Sequence, residues 1–258
     1  MLREELSKLR RDVENDLAAY FTPYTASEDI IERLPWLKGF VECIAHGDVA
    51  VSLNYDCLFE GVLDWMERWT PTGGYGFLRS LLINDSVEQS PVSVLKIHGS
   101  TSFIIVPPLG KSQAKSIGFI FDEQFFPRSA KNTHHGYGMG LGQPYLIAPS
   151  YVKLPVVEIA YFMLGALEAV GRSENLVVVG CSLRPEDVFL TLVMTHFLRQ
   201  SNWRNRRIII LDLNAGEIAA RIREYWPTDI GQCVVPIEGR IEESSDKLLK
   251  AIKQERTE

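Results

Sequence analysis

From residue 2 to 21 apolar side chains recur at helical spacing, with Leu2, Leu6, Leu9, Val13 and Leu17 on one face and charges on the other. This predicts an amphipathic helix. A second helical stretch, 28–46, is predicted to break or kink at Pro35, whose ring and missing N–H do not fit a helix interior. Residues 48–53 read as a strand leading into a helix from Cys57 to Trp69, with Leu58, Val62, Trp65, Met66 and Trp69 along one side. Pro71 and the Gly73-Gly74 pair then open a loop. The next strand is 92–97, followed by a second β run over 103–106. Between 107 and 143 the pattern gives a strand-like stretch, 117–121, and a glycine-rich loop, 134–142. A short strand over 145–149 and a long apolar helix, about 155–170, come next.

The last third alternates strand and helix most clearly. Strands are expected at 175–179, 207–211 and 233–237, and helices from Pro185, from Asn214 to Trp226, and over 242–253. Val177-Val178-Val179 and Ile208-Ile209-Ile210 show no alternation, which marks strands covered on both faces, as in a parallel sheet. The predicted class is therefore α/β: a Rossmann-like, mostly parallel sheet flanked by helices, with a helical N-terminal region. One domain over 1–258 is expected, with the helical region at 1–47 and a loop-rich insertion at 107–143.

Composition narrows the function classes. Hydrophobic residues make up 46% and charged residues 23% of the 258 residues, an ordinary globular balance. A chain of this size buries about three-quarters of its unfolded surface and needs no staples. The net charge of −6 opposes a nucleic-acid-binding face, because phosphate neutralisation needs clustered Lys and Arg. The nearest such cluster, Arg204, Arg206 and Arg207, reads as a solvated turn. Cys43, Cys57, Cys181 and Cys233 form no CxxC pair, so no structural metal is expected. No secretory leader is read at the N-terminus, and the thiols are expected to be reduced in the cytoplasm. The most apolar segment, 155–170, carries Glu158 and Glu168 and is too short to span a bilayer, so no membrane association is expected.

Chemistry-capable residues gather where predicted strands end. Ser52-Leu53-Asn54-Tyr55-Asp56 and Lys96-Ile97-His98-Gly99-Ser100 each follow a run of β-formers, the position where open α/β sheets place ligands. Asn54 and Asp56 have an alternative role as caps of the helix that follows. His98 has one as a turn histidine bonded to backbone. Gly180 and Ser182 sit before a predicted helix whose positive end attracts phosphate, although Glu186 and Asp187 compete for the same field. Asp212 suits ribose hydroxyls, as acidic strand-end residues do in dinucleotide folds. Asn214-Ala215-Gly216-Glu217 also reads as a capping box.

In this order, Asn54-Tyr55-Asp56, Ile97-His98-Gly99-Ser100, Gly180-Cys181-Ser182-Leu183 and Leu211-Asp212-Leu213-Asn214 resemble strings of the sirtuin-like family (silent information regulator family). The resemblance is strongest to its bacterial branch of NAD hydrolases and covers about residues 45–240. It implies NAD as substrate or ligand, with no metal. It further implies Asn54 holding a water at the anomeric carbon, His98 as general base, and Asp56 orienting the loop. Gly99, Ser100, Gly180, Ser182, Asp212 and Asn214 are the implied cofactor contacts. The implied setting is bacterial anti-phage defence.

Two departures qualify the resemblance. The zinc-ribbon cysteines of the deacylases are absent, which disfavours protein deacylation. The family's first strand and its glycine-alanine-glycine-x-serine loop are not found. Two readings follow: an NAD glycohydrolase, or a catalytically degenerate module that binds a nucleotide or serves as a protein-interaction scaffold. A missing interior strand would leave unpaired backbone, at about 1–3 kcal/mol per buried group. Three explanations are open: a truncated start, N-terminal helices rearranged over the gap, or another chain filling it. Self-association or a protein partner is the one expected.

Overall fold

The computed structural model describes residues 2–75, 90–106, 116–132, 143–147, 157–184, 187–199, 206–225 and 233–254. They fall into two compact units, one formed by Met1–Arg33 with Ala45–Met163, the other by Leu34–Ile44 with Leu164–Glu258.

In the first unit, helix α1 (Leu2–Phe21) takes the predicted span, but of its predicted apolar face Leu17 is covered while Leu9 and Val13 are not. Leu9 and Val13 are exposed, whereas Glu14 and Ala18 are buried and Leu17 and Phe21 partly so. The reason is local: the last turns of α1 pack on Tyr55 and Leu146, and the buried Glu14 is matched by Arg10 at 2.6 Å. Helix α2 (Glu28–Arg33) ends where Pro35 opens α3 (Pro35–Glu42), a position at which the missing N–H costs nothing.

Strand β1 (Val49–Ser52) leads through residues 53–57 into α4 (Leu58–Trp65) and the short α5 (Pro71–Gly74). Strand β2 (Ser93–Lys96) lies parallel to β1, with Val49 opposite Ser93 and Ser52 opposite Lys96. After a turn at Ile97-His98 the chain continues as β3 (Gly99–Val106), the centre of an antiparallel sheet with β4 (Ser116–Phe119) and β5 (Gln143–Leu146). The short α6 (Ser129–Asn132) falls between β4 and β5. An aromatic core fills this unit: Tyr75 stands edge-on to Trp69 at 4.8 Å and to Phe103 at 4.9 Å. Edge-to-face rings of this kind add to the gain from burial.

Helix α7 (Val157–Arg172) begins in the first unit and ends in the second. There β6 (Asn175–Val179), β7 (Arg207–Asp212) and β8 (Val234–Glu238) form a parallel sheet in that order. Helices α8 (Val188–Leu198), α9 (Ala215–Tyr225) and α10 (Ile241–Lys253) complete the alternation. Ile208 to Leu211 are all buried, so both faces of β7 are covered, as the unalternating run predicts. Ile209 and Leu211 share a core with Cys43 of the α3 C-terminus and Leu248 of α10.

The mixed α/β class, with parallel strands flanked by helices, is what the pattern predicts. The antiparallel sheet β4-β3-β5 lies outside that expectation: the pattern gives its strands as separate β runs at 103–106, 117–121 and 145–149, and a β pattern does not say which strands pair or in which direction. The predicted glycine-rich loop at 134–142 and the end of the 145–149 strand lie outside the described residues. No helix among the described residues is long and apolar enough to cross a membrane.

Candidate functional site

The parallel register of β1 and β2 ends both strands level, so residues 53–56 and 97–98 leave the same edge side by side. His98 is half-buried, and its Nδ1 lies 3.1 Å from the carbonyl oxygen of Leu53. A carbonyl only accepts, so Nδ1 carries the proton and the neutral ring keeps its lone pair on Nε2. That is the form a general base requires. The turn is fixed from three sides. Ile147 N–H donates to His98 O at 2.8 Å, Thr101 N–H donates to Tyr55 O at 2.8 Å, and the Tyr55 hydroxyl donates to Ile147 O. The Tyr55 and His98 rings lie 6.4 Å apart.

Gly99 has a structural requirement of its own. Its φ is +83°, and a Cβ there would stand 2.3 Å from the Tyr145 carbonyl oxygen of β5. Only glycine permits both the left-handed backbone and that approach.

Asn54 is exposed, and its amide makes no hydrogen bond among the described residues. It therefore does not cap α4, the alternative that competes with a ligand role. Asp56 does take a turn role: its Oδ1 accepts from Leu58 N–H at 3.1 Å at the start of α4. Ser100 is fully buried, its hydroxyl 3.1 Å from both Cys57 Sγ and Ser102 Oγ. It belongs to a polar network beneath the turn.

That network centres on two residues to which the sequence reading gave no role. Lys96 and Glu60 are both fully buried, with Nζ 3.0 Å from Oε1. Lys96 Nζ also donates to the Asp56 carbonyl at 2.5 Å and to Ser52 Oγ at 3.4 Å. The Tyr75 hydroxyl reaches Glu60 Oε1 at 3.4 Å, while Glu60 Oε2 is buried with no partner among the described residues. Burial pushes the Glu60 carboxyl upward, and Lys96 opposes that shift. Burial also raises the Cys57 thiol, and raises the Tyr75 phenol well above its ordinary value. The sequence signal was a lone lysine inside an apolar strand run and a lone glutamate on the inner side of α4.

The second unit holds the remaining candidates. Gly180 follows β6 with φ +59°, and its N–H donates to Leu211 O at 3.0 Å. Leu183 also takes a left-handed φ, +46°, so the segment turns sharply before α8. Ser182 is exposed, and its carbonyl accepts from the Arg221 guanidinium. The N-terminus of α8 is occupied: Asp187 Oδ1 accepts from Phe189 N–H at 3.1 Å and Leu190 N–H at 3.2 Å. The competition expected from that carboxylate is what the geometry shows. Asp212 Oδ1 accepts from Asn214 N–H at 2.9 Å, and Asn214 O accepts from Ile218 N–H at 3.0 Å, opening α9.

Arg206 and Arg207 are not a solvated turn. Arg206 is buried and donates to carbonyls at the ends of α7 and α8: Val170, Gly171 and Phe197. Arg207 donates to Asn175 Oδ1 and to Ala251, Ile252 and Gln254 at the end of α10. Helix C-termini present unpaired carbonyls and partial negative charge, which these guanidinium groups satisfy. Arg204 lies outside the described residues. Among the described residues no three His, Cys, Asp or Glu side chains converge as a metal site.

No protein-family model and no curated protein matches the chain. Among solved structures, a Sir2 homologue mutant in complex with ADP-ribose aligns at 14% identity over 89% of this chain and 79% of that one, with a TM-score of 0.40. Sir2Af2 bound to a myristoylated histone peptide aligns at 14% identity over 89% and 84%, with a TM-score of 0.37. A complex of a Sir2 homologue with NAD aligns at 13% identity over 88% and 75%, with a TM-score of 0.38.

Proposed function

We propose that this chain is a sirtuin-like NAD-binding protein that hydrolyses the bond between nicotinamide and ribose. The observation that carries the reading is the pairing of His98 with the segment holding Asn54. Both stand at the level ends of parallel strands, with the imidazole held in the Nε2-basic form by Leu53. The nicotinamide–ribose bond breaks with its electron pair leaving on the nicotinamide nitrogen, and positive charge develops at the anomeric carbon. Asn54, exposed and without a hydrogen bond among the described residues, orients a water toward that carbon. His98 Nε2 takes the water's proton as the new C–O bond forms, giving ADP-ribose and nicotinamide. Gly99 supplies the close turn that presents His98, and Asp56 holds the loop after Asn54.

The resemblance adds Gly180, Ser182, Asp212 and Asn214 as candidate nucleotide contacts within the second unit. The protein works in the bacterial cytoplasm, depletes NAD during phage infection, and self-associates or takes a protein partner. A second reading rests on the Asp187 cap. With its own carboxylate on the α8 N-terminus, the chain has closed one ready-made phosphate site, which favours a catalytically degenerate module serving as a nucleotide binder or a protein-interaction scaffold. Purified protein incubated with NAD separates the two. Nicotinamide release supports hydrolysis, an NAD-dependent thermal shift without release supports a nucleotide-binding module, and neither response rejects hydrolysis and supports a protein-interaction scaffold.

A further inference from the structure

Lys96 brackets Asn54. Its ammonium binds the Ser52 hydroxyl two residues before Asn54 and the Asp56 carbonyl two residues after it, while its own backbone lies two residues before His98. Both Lys96 and its counter-ion Glu60 are 0% exposed. A buried ion pair is an expensive way to fill this space, because desolvation of two charges offsets much of their attraction and apolar side chains of similar volume often serve stability as well or better. Here the pair is also incompletely satisfied, since Glu60 Oε2 has no partner among the described residues. Stability alone therefore does not account for it.

We propose that Lys96, with Glu60 as its counter-ion, is a positioning residue that sets the Asn54 segment against His98 for reaction with NAD. The ammonium is a point donor that clamps three oxygens from three places: the end of β1, the loop after it, and α4. A methionine or leucine fills the volume and makes none of these bonds. The Leu53–Asp56 segment then loses the anchor on either side of Asn54, and the Leu53 carbonyl no longer meets His98 Nδ1 in a fixed place. Misplacement of a reacting group by about 1 Å costs about 100-fold in rate.

This inference deepens the NAD-hydrolysis reading and rests on it for its kinetic consequence. Its structural half is measurable without turnover. The test is the full-length double variant Lys96→Met with Glu60→Leu, which removes both charges together and avoids the buried unpaired charge that either single change leaves. The expected result is a folded protein with a thermal midpoint close to the wild type. Its kcat for nicotinamide release falls about 100-fold with KM little changed, and the 15N resonances of His98 move from the Nδ1-protonated form toward a tautomer mixture. Wild-type kcat together with an unchanged His98 spectrum in a folded double variant would overturn the proposal. If the wild type itself releases no nicotinamide, the hydrolase reading fails separately. The His98 tautomer in the double variant then decides positioning alone: a mixture supports it, and an unchanged spectrum overturns it. Should the double variant not fold, Lys96→Arg, which keeps the charge but replaces the point donor with a planar fork, is read by the same His98 spectrum and the same two outcomes.

Discussion

His98 Nδ1 lies 3.1 Å from the carbonyl oxygen of Leu53, so the turn after β2 is bonded to the segment after β1 by the imidazole itself. The bond requires a proton on Nδ1. In 15N spectra recorded above the titration range of histidine, His98 is expected to show a protonated Nδ1 and an unprotonated Nε2. Exposed His46 provides the internal comparison. A protonated Nε2 on neutral His98 would contradict the geometry.

Gly99→Ala places a side chain on a left-handed backbone and against the Tyr145 carbonyl. The conformational penalty is about 1–2 kcal/mol before the contact is counted. Urea unfolding is expected to show a loss of at least that size, with thermal stability falling in parallel.

Much of the fold was legible because strands and helices in this chain carry unmixed patterns. Ile208-Ile209-Ile210 announced a covered parallel strand, and Pro35 announced the break between α2 and α3. The matching run in β6 pairs in parallel but is not covered on both faces, since Val178 is buried and Val177 exposed. The α1 stripe of Leu9 and Val13 misled because periodicity shows that a helix has an apolar face, not which neighbours arrive to cover it. Packing on Tyr55 and Leu146 chose Leu17, Ala18 and Phe21. Asn54 and His98 were legible as strand-end polar residues. The Lys96–Glu60 pair carried no local signal strong enough to link two residues from different elements. Nor did any spacing show that Arg206 and Arg207 would satisfy helix ends rather than face solvent, since their acceptors lie on α7, α8 and α10.

The buried pair makes a pH-dependent contribution of defined sign. Burial raises the Glu60 carboxyl in the folded protein above its ordinary value of 4.5, so the native state binds this proton more tightly than the unfolded chain does. The associated stability is present below the unfolded value and is lost as pH rises through the folded one. Glu60→Gln removes that dependence. The wild type's stability advantage over Glu60→Gln, measured by urea unfolding, is expected to be larger at about pH 5 than at about pH 8.

Thiol reactivity reports the burial pattern directly. Cys43, Cys57 and Cys233 are buried, and Cys181 is partly exposed. Native protein treated with iodoacetamide is expected to label first at Cys181, and at the other three only after unfolding. Burial also raises the Cys181 thiol above its ordinary value of 9.0, so its labelling accelerates as pH increases toward and beyond that value.

The most direct test of an NAD-cleaving site at the ends of β1 and β2 is the steady-state rate of nicotinamide release by wild type, Asn54→Ala and His98→Ala, each verified as folded. Loss of the base is expected to lower kcat by about 10²- to 10⁴-fold, with a comparable loss for Asn54→Ala. Release by the wild type that persists unchanged in both variants would place the chemistry elsewhere in the molecule.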